Sequence, residues 1–215
     1  MTLPGWGRTP HAHTDGQGLK RILQDYGTHQ FWYPKSASSA IFFTDLLRYA
    51  QRSSRVVHHQ AIDTTKTLPN FGDVSMQILW PPRDHLPSNE NNNSVVLALT
   101  LDDVCFVLTG DAEADVWASI SSQIPANTKF FKVPHHGSDD AMFDGGQTPW
   151  LDKVFATAEM AISSHIRPFS HPDDSVIDVM TQRNARYYRT DEHYHISFET
   201  DGRSLTKKYS HVESA

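Results

Sequence analysis

Lys132-Val-Pro-His-His-Gly-Ser138 is the stretch on which the fold turns, read with Leu108-Thr-Gly-Asp111 about twenty residues before it. Each follows a short apolar run. Val104-Cys-Phe-Val-Leu108 precedes the first, and Phe130-Phe131 with Val133 leads into the second. Short apolar runs bounded by turn residues read as buried strands. At both strand ends the sequence switches to groups that bind metals, first a carboxylate and then two adjacent imidazoles. Aspartate and histidine ligate zinc, and manganese or iron where oxygen is favoured. Gly-Asp alone is an ordinary turn and His-His alone an ordinary pair. Their occurrence at two successive strand ends points to a site.

The 215 residues fit one domain, 1–215, long enough to bury a core. A hydrophobic content of 38% with 20% charged residues is that of a soluble globular chain. No run of about 18 apolar residues occurs, so no membrane span is expected. The first residues, Met1-Thr-Leu-Pro-Gly-Trp-Gly-Arg8, lack the basic-then-apolar layout of a signal peptide. Cys105, the single cysteine, has no internal disulfide partner, and a reducing cytoplasm is the expected location. A net charge of −6 argues against a broad basic surface for nucleic acid, though not against a local one. Thirteen histidines are the compositional hint of a metal, against the alternative of a surface excess.

Outward from the centre, Thr9-Pro-His-Ala-His-Thr-Asp15 sets His11, His13 and Asp15 at alternate positions. In an extended loop such residues project the same way and converge. The helical pattern starts after them, at Leu19-Lys-Arg-Ile-Leu23. Residues 29–33 read as a strand stopped by Pro34, residues 39–50 as an amphipathic helix, and residues 56–59 as a short strand whose histidines are structural or exposed, not ligands. Val74-Ser-Met-Gln-Ile-Leu-Trp80 is a strand ended by Pro81-Pro82, and residues 83–93 are a polar surface loop. Residues 94–101 and 104–108 form a hairpin about Asp102-Asp103, and residues 112–122 a helix. Later come a Gly-rich loop (139–149), a strand (160–164), a helix after Pro172 (175–182) and a strand (185–189). A last hairpin turns at Asp201-Gly202, carrying His193 and His195 as surface groups. Paired strands followed by strand–helix alternation make a mixed α/β (α+β) chain.

The ordered set His-x-His-x-Asp from His11, Leu79-Trp-Pro-Pro82, Asn91-Asn-Asn-Ser-Val-Val-Leu97, Leu108-Thr-Gly-Asp111, Val133-Pro-His-His-Gly-Ser138, Ser170-His-Pro172 and Tyr188-Arg-Thr-Asp191 resembles the metallo-β-lactamase-fold hydrolases. The nearest branch is that of the C-terminal domain of the DNA-uptake protein ComEC. The resemblance covers residues 11 to about 202 and is most specific over residues 91–138. It implies an αββα sandwich holding one or two Zn2+ or Mn2+ ions at its edge. The substrates it implies carry phosphoester, ester, thioester or amide bonds, and a nuclease role is the expectation of this branch.

Carried over by position, the resemblance makes His11, His13, Asp15, Asp111, His135 and His171 metal ligands. Asp15, His135 and His136 become catalytic, as water-orienting base or as stabilisers of charge on a phosphoryl oxygen. Asn93 and Ser94 stand where many members of the wider fold have another histidine. Asp15 is followed by Gly16 where the family has histidine, leaving the second metal position weak, empty or completed by His165. Relatives also open with two or three strands before the histidine loop, where this chain has ten residues. The expected sandwich therefore lacks its first strands, to be supplied by a partner chain or a homo-oligomer, or dropped by divergence.

Three functions remain open at this level. One is a metal-dependent phosphodiesterase or nuclease acting on nucleic acid through a metal-activated water. Another is a metallo-hydrolase of a small ester or phosphorylated molecule, which the acidic balance favours. The last is a non-catalytic binding or assembly module with a degenerate site. Arg189-Thr-Asp191 is a candidate phosphate holder or a solvated strand end. Cys105, flanked by Val104 and Phe106, is expected to be a buried apolar group.

Overall fold

The computed structural model describes residues 13–35, 41–84, 89–164 and 170–210, without the side chains of residues 13–17 and 42. The chain runs through α1 (His13–Asp25), β1 (Thr28–Pro34), α2 (Ile41–Arg52) and β2 (Val56–Ile62), then a meander of β3 (Ser75–Trp80), β4 (Val96–Leu101) and β5 (Val104–Leu108). Strands and helices then alternate: α3 (Ala114–Ile120), β6 (Thr128–Lys132), α4 (Asp139–Met142), α5 (Leu151–Val154), β7 (Glu159–Ile162), α6 (Asp174–Gln182) and β8 (Arg186–Arg189). The turn α7 (Thr190–His193) and the hairpin of β9 (Ile196–Thr200) and β10 (Leu205–Tyr209) follow.

Strands β3 to β8 form one six-stranded sheet in sequence order. β3, β4 and β5 are antiparallel, and β5 through β8 are parallel. The expected hairpin closes with Leu101 opposite Val104, and Asp102 takes the left-handed conformation its short polar side chain tolerates.

Both faces of this sheet are covered, so its central strands read as continuous apolar runs. On one face Cys105, Val107, Phe131, Met160 and Ile162 pack against Trp117 of α3, Leu151 and Val154 of α5, and Val176 and Met180 of α6. Phe131 lies between Trp117, with ring centroids 5.5 Å apart, and Trp150, stacked at 5.1 Å. On the other face Ile78 and Leu97 meet Trp32 of β1 and Ile62 of β2. Further along it Phe130 touches Phe106 at 5.0 Å and Phe198 of β9 at 4.5 Å. The parallel pair β1–β2 and the antiparallel pair β9–β10 thus lie on the same side without hydrogen bonding to each other.

Alternation along β1 sends Trp32 toward the large sheet and Phe31 the other way. There Phe31 joins Leu23 of α1, Leu46 and Ala50 of α2, and Val56. The layer order is helices, paired strands, six-stranded sheet, helices. This mixed α/β arrangement is compatible with the expected αββα sandwich.

Three local expectations are corrected. Helix α1 begins at His13, six residues ahead of the apolar pattern, because only Leu19, Ile22 and Leu23 carry periodicity and the polar turn before them is silent. The asparagine stretch is no surface loop: Asn91–Asn93 is a 3-10 turn, with Asn92 and Asn93 each only 5% exposed. Its amides are buried because Glu113, Asp115 and Glu90 bond to them. Asn92 Oδ1 accepts the Glu113 amide at 2.9 Å and its Nδ2 donates to Asp115. His193 belongs to the turn α7, with its ring edge-on to Tyr188 at 5.5 Å and to Tyr209 at 5.0 Å. It is half-buried, whereas His195 is exposed.

Candidate metal centre

Because β5 to β8 are parallel, their carboxyl ends share one edge of the sheet, where open α/β sheets bind ligands. Asp111 follows β5, His135 and His136 follow β6, and Ser163 follows β7. The loop that returns from β7 to α6 brings in His171.

Asp111 is buried, and its backbone N–H donates to Ser94 Oγ at 2.8 Å. Ser94 is itself inaccessible, so the position where the wider fold has a histidine here anchors the aspartate's backbone. The His135 N–H donates to the Gly110 carbonyl at 3.2 Å and ties the two loops together.

Lys132, the last residue of β6, is buried, with Nζ donating to the Val133 carbonyl at 2.5 Å. Burial pushes its ammonium down to about 8, against the nearby Asp111 charge, which works to raise it. The unfolded chain keeps this proton up to the ordinary value of 10.5. Between about 8 and 10.5 the unfolded state binds more protons, so the contribution of Lys132 to stability rises with pH. Lys132→Met is expected to flatten that rise in denaturant titrations of the metal-free protein across the same window. An unchanged slope would mean that Lys132 is solvated.

The residues that follow leave the strand alternation. His135, His136 and Gly137 have φ of 44°, 56° and 83°, three left-handed residues in a row. Histidine tolerates this region better than most residues, and glycine enters it freely. Both rings therefore come to the same cluster, centroids 6.5 Å apart, in place of the opposite facings expected of neighbouring strand residues.

Gly137 is needed twice over. Its φ of 83° is one that residues with a side chain rarely adopt, and a Cβ there would stand 2.7 Å from Cβ of Pro172. Gly137→Ala is expected to destabilise by more than about 1 kcal/mol and to part the His135 and His171 loops. Thermal unfolding checks the first, and loss of metal uptake in the still-folded fraction checks the second.

His136 carries the informative geometry. Its Nδ1 lies 2.7 Å from the Ser163 carbonyl oxygen. A carbonyl only accepts, so Nδ1 holds the proton, and the neutral ring carries its lone pair on Nε2. That Nε2 stands 3.7 Å from Asp111 Oδ1. Two acceptors facing each other at this range call for a positive charge between them or a second proton on the ring. The ring of His171 lies 5.6 Å from that of His135, and its Nδ1 is 3.5 Å from Asp173 Oδ1. His135 Nδ1 in turn is 3.9 Å from Glu113 Oε1.

The donor types fit a divalent cation. Two ligand atoms each about 2.0–2.1 Å from one tetrahedral ion stand about 3.3 Å apart, within a few tenths of the Asp111–His136 separation. Among the described residues no group of three or more His, Cys, Asp or Glu side chains is placed to hold one ion. Asp111 and His136 are the two donors of the pair, and His135 and His171 border it.

Asp111, His135, His136 and His171 are thus brought together. His11 and His165 lie outside the described residues. His13 and Asp15 fall in the first turn of α1, so alternation along an extended backbone no longer argues for their convergence. Arg189 is taken up by carboxylates: it forks onto Asp191 at 3.1 and 2.6 Å and meets Glu192 at 3.0 Å. Burial raises the Asp191 carboxyl, but the Arg189 and Ser164 hydrogen bonds outweigh it and hold it below its usual range. Cys105 is inaccessible and burial pushes its thiol up, as suits an apolar filler. Lys132, Glu113 and Asp173 were missed by the sequence reading. The last two sit two residues beyond Asp111 and His171, and a search for carboxylates at that offset finds both.

No family model matches the chain. Over 132 residues it is 23% identical to ComE operon protein 3 of Bacillus subtilis (strain 168), an alignment spanning 61% of this chain and 16% of that protein. This agrees with the ComEC branch of the resemblance as a distant relationship. The chain is similar, at that distance, to a segment amounting to 16% of the length of ComE operon protein 3.

Proposed function

We propose that the chain is a metal-dependent hydrolase acting on phosphoesters, with phosphodiesters the leading class. The observation that carries this reading is His136 Nε2 standing 3.7 Å from Asp111 Oδ1, with Nδ1 held by the Ser163 carbonyl. Asp111 and His136 hold the cation, and His135, His171 and the expected ligands His11, His13 and Asp15 complete the set. When bound, a divalent ion supplies positive charge to a phosphoryl oxygen and acidifies a water near neutral pH. The chain's own part is to hold Asp111, His135, His136 and His171 on the three loops after β5, β6 and β7, tied by the His135 N–H to the Gly110 carbonyl and the Asp173 N–H to the Gly137 carbonyl. The distant likeness to a segment of ComE operon protein 3 supports the same class.

The test is metal content per chain after incubation with zinc and manganese, beside turnover of a chromogenic phosphodiester. One or two ions per chain with metal-dependent turnover is the expected result. A folded protein that takes up neither ion would overturn the reading and leave His136 and Asp111 as an ion pair in a binding module.

One observation favours a small substrate over a polynucleotide. A cavity of about 380 Å³ opens beside the site, lined by Glu113, Asp115, Asp139, Asp140 and Asp144 with Ala114 and Phe143. Five carboxylates repel a phosphate backbone. DNA binding that weakens steeply with salt would favour the polynucleotide, and salt-indifferent turnover of a small phosphoester would favour the small substrate.

A further inference from the structure

The two-stranded layer β1–β2 has an open edge. β2 hydrogen-bonds to β1 on one side, and no described strand pairs with its other side. Val57, His58, His59 and Gln60 are all exposed, Val57 at 56%. Successive residues of a strand face opposite ways, so four exposed in a row mean that β2 overhangs the core on both faces. β1 differs. Its Phe31 and Trp32 are buried, one on each face, and it ends at Pro34, which has no N–H to offer. Sheet edges are normally blunted by charged side chains, proline, a bulge or a covering element. Val56-Val-His-His-Gln-Ala-Ile62 contains no lysine, arginine, aspartate, glutamate, proline or glycine, and it keeps one constant register against β1. Nothing in this strand guards against pairing.

We infer that β2 is the docking strand of a symmetric dimer, its occupant the β2 of a second copy of this chain running antiparallel. The strand's own pattern selects that occupant. A two-fold axis at His59 sets Val56 opposite Ile62 of the partner subunit, Val57 opposite Ala61 of the partner subunit, and His58 opposite Gln60 of the partner subunit. Apolar meets apolar at both ends and polar meets polar in the middle, with no acidic or basic side chain opposed to its like. The pairing joins residues of like parity. Outward amides therefore meet outward carbonyls, whichever alternate set faces outward. Each copy uses the edge once, so the assembly closes at two. Exposed apolar groups flank the strand: Tyr26, 84% exposed, and Ile22, 50% exposed, lie one helical turn apart. Tyr26 is held near the start of β2, because Arg55 Nη1 donates to the Asp25 carbonyl at 3.3 Å and the Thr28 N–H to the Arg55 carbonyl at 2.8 Å. One strand pair with such flanks falls at the small end of specific interfaces, which sets the dimer as a reversible one. It makes no use of Asp111 or His136 and stands apart from the metal-dependent reading.

The experiment is sedimentation velocity of the full chain over a concentration series from micromolar to millimolar, with hydrogen exchange at both ends of the series. Wild type is expected to pass from monomer to dimer. Exchange of β2 amides is expected to slow about tenfold at a concentration about 100 times the dimer Kd, as mass action requires, with β5 amides unchanged. His59→Lys and His59→Glu each put like charges face to face at the two-fold, and each alone is expected to stay monomeric. Their equimolar mixture is expected to recover the dimer, because opposite charges then meet. Where a variant does not fold, wild-type sedimentation and exchange decide. A wild type that stays monomeric throughout the series would overturn the inference. So would a dimer with unprotected β2 amides, a dimer that both charged variants keep, or a mixture that stays monomeric. A monomer whose β2 amides become protected only when a different protein is added would assign the edge to a foreign strand, and would equally overturn it.

Discussion

Asp111→Ala is expected to abolish the proposed metal uptake and phosphoester turnover and to leave a folded chain. The loss is expected to exceed the 10–100-fold typical of a partner that only orients a ligand, because Asp111 supplies a carboxylate facing His136 Nε2. The fold survives because the bond from this position to Ser94 Oγ is made by the backbone N–H. The substitution also removes the charge that supports the Lys132 ammonium, whose value falls further below about 8. Elemental analysis and thermal unfolding, wild type beside variant, check both halves. A variant that keeps its metal would move the site away from the carboxyl edge of the sheet.

The largest stability effect is expected at Trp150. The side chain is inaccessible, stacks on Phe131 at 5.1 Å and 12°, and donates its indole N–H to the Ala141 carbonyl at 2.9 Å. Trp150→Ala opens a cavity against β6 and leaves that carbonyl without its donor. The expected loss is about 3–5 kcal/mol, or about 6–20 °C in Tm at this chain length. Phe131 is the residue before Lys132, so the damage reaches the His135 loop. Trp150→Phe keeps the stack and is expected to recover most of the loss. Denaturant unfolding of the pair checks the apportionment; equal losses in both would assign the effect to the hydrogen bond.

The strands were legible because their periodicity is local. Cys105 and Val107 enter one core while Phe106 meets Phe130 across the other face, and the Asp102-Asp103 and Asp201-Gly202 turns declare themselves by composition. Trp117 and Trp150, both inaccessible, lie in the core that these strands build. Polar burial was not legible. Asn92 and Asn93 look like solvent residues until Glu113, Asp115 and Glu90 are seen to bond them. The shared facing of His135 and His136 was hidden for a different reason. Strand alternation is a property of extended backbone, and these residues take positive φ. Pairings between a histidine and a carboxylate on another loop, such as His135 with Glu113, depend on how β5 and β6 align, which no single segment encodes.

The sequence-ordered sheet bears on how the protein is made. Each of β4 to β8 pairs with the strand synthesised just before it, so the sheet grows by successive additions with short loop closures, which favour fast folding. Donors arrive in the same order: Asp111 after β5, His135 and His136 after β6, His171 after β7. A nascent chain emerging from the ribosome through β6 already carries Asp111 and His136, but lacks the Ser163 carbonyl that sets the tautomer of His136. Under the proposed metal-dependent reading, the Asp111–His136 pair is therefore complete only late in synthesis, when β7 docks.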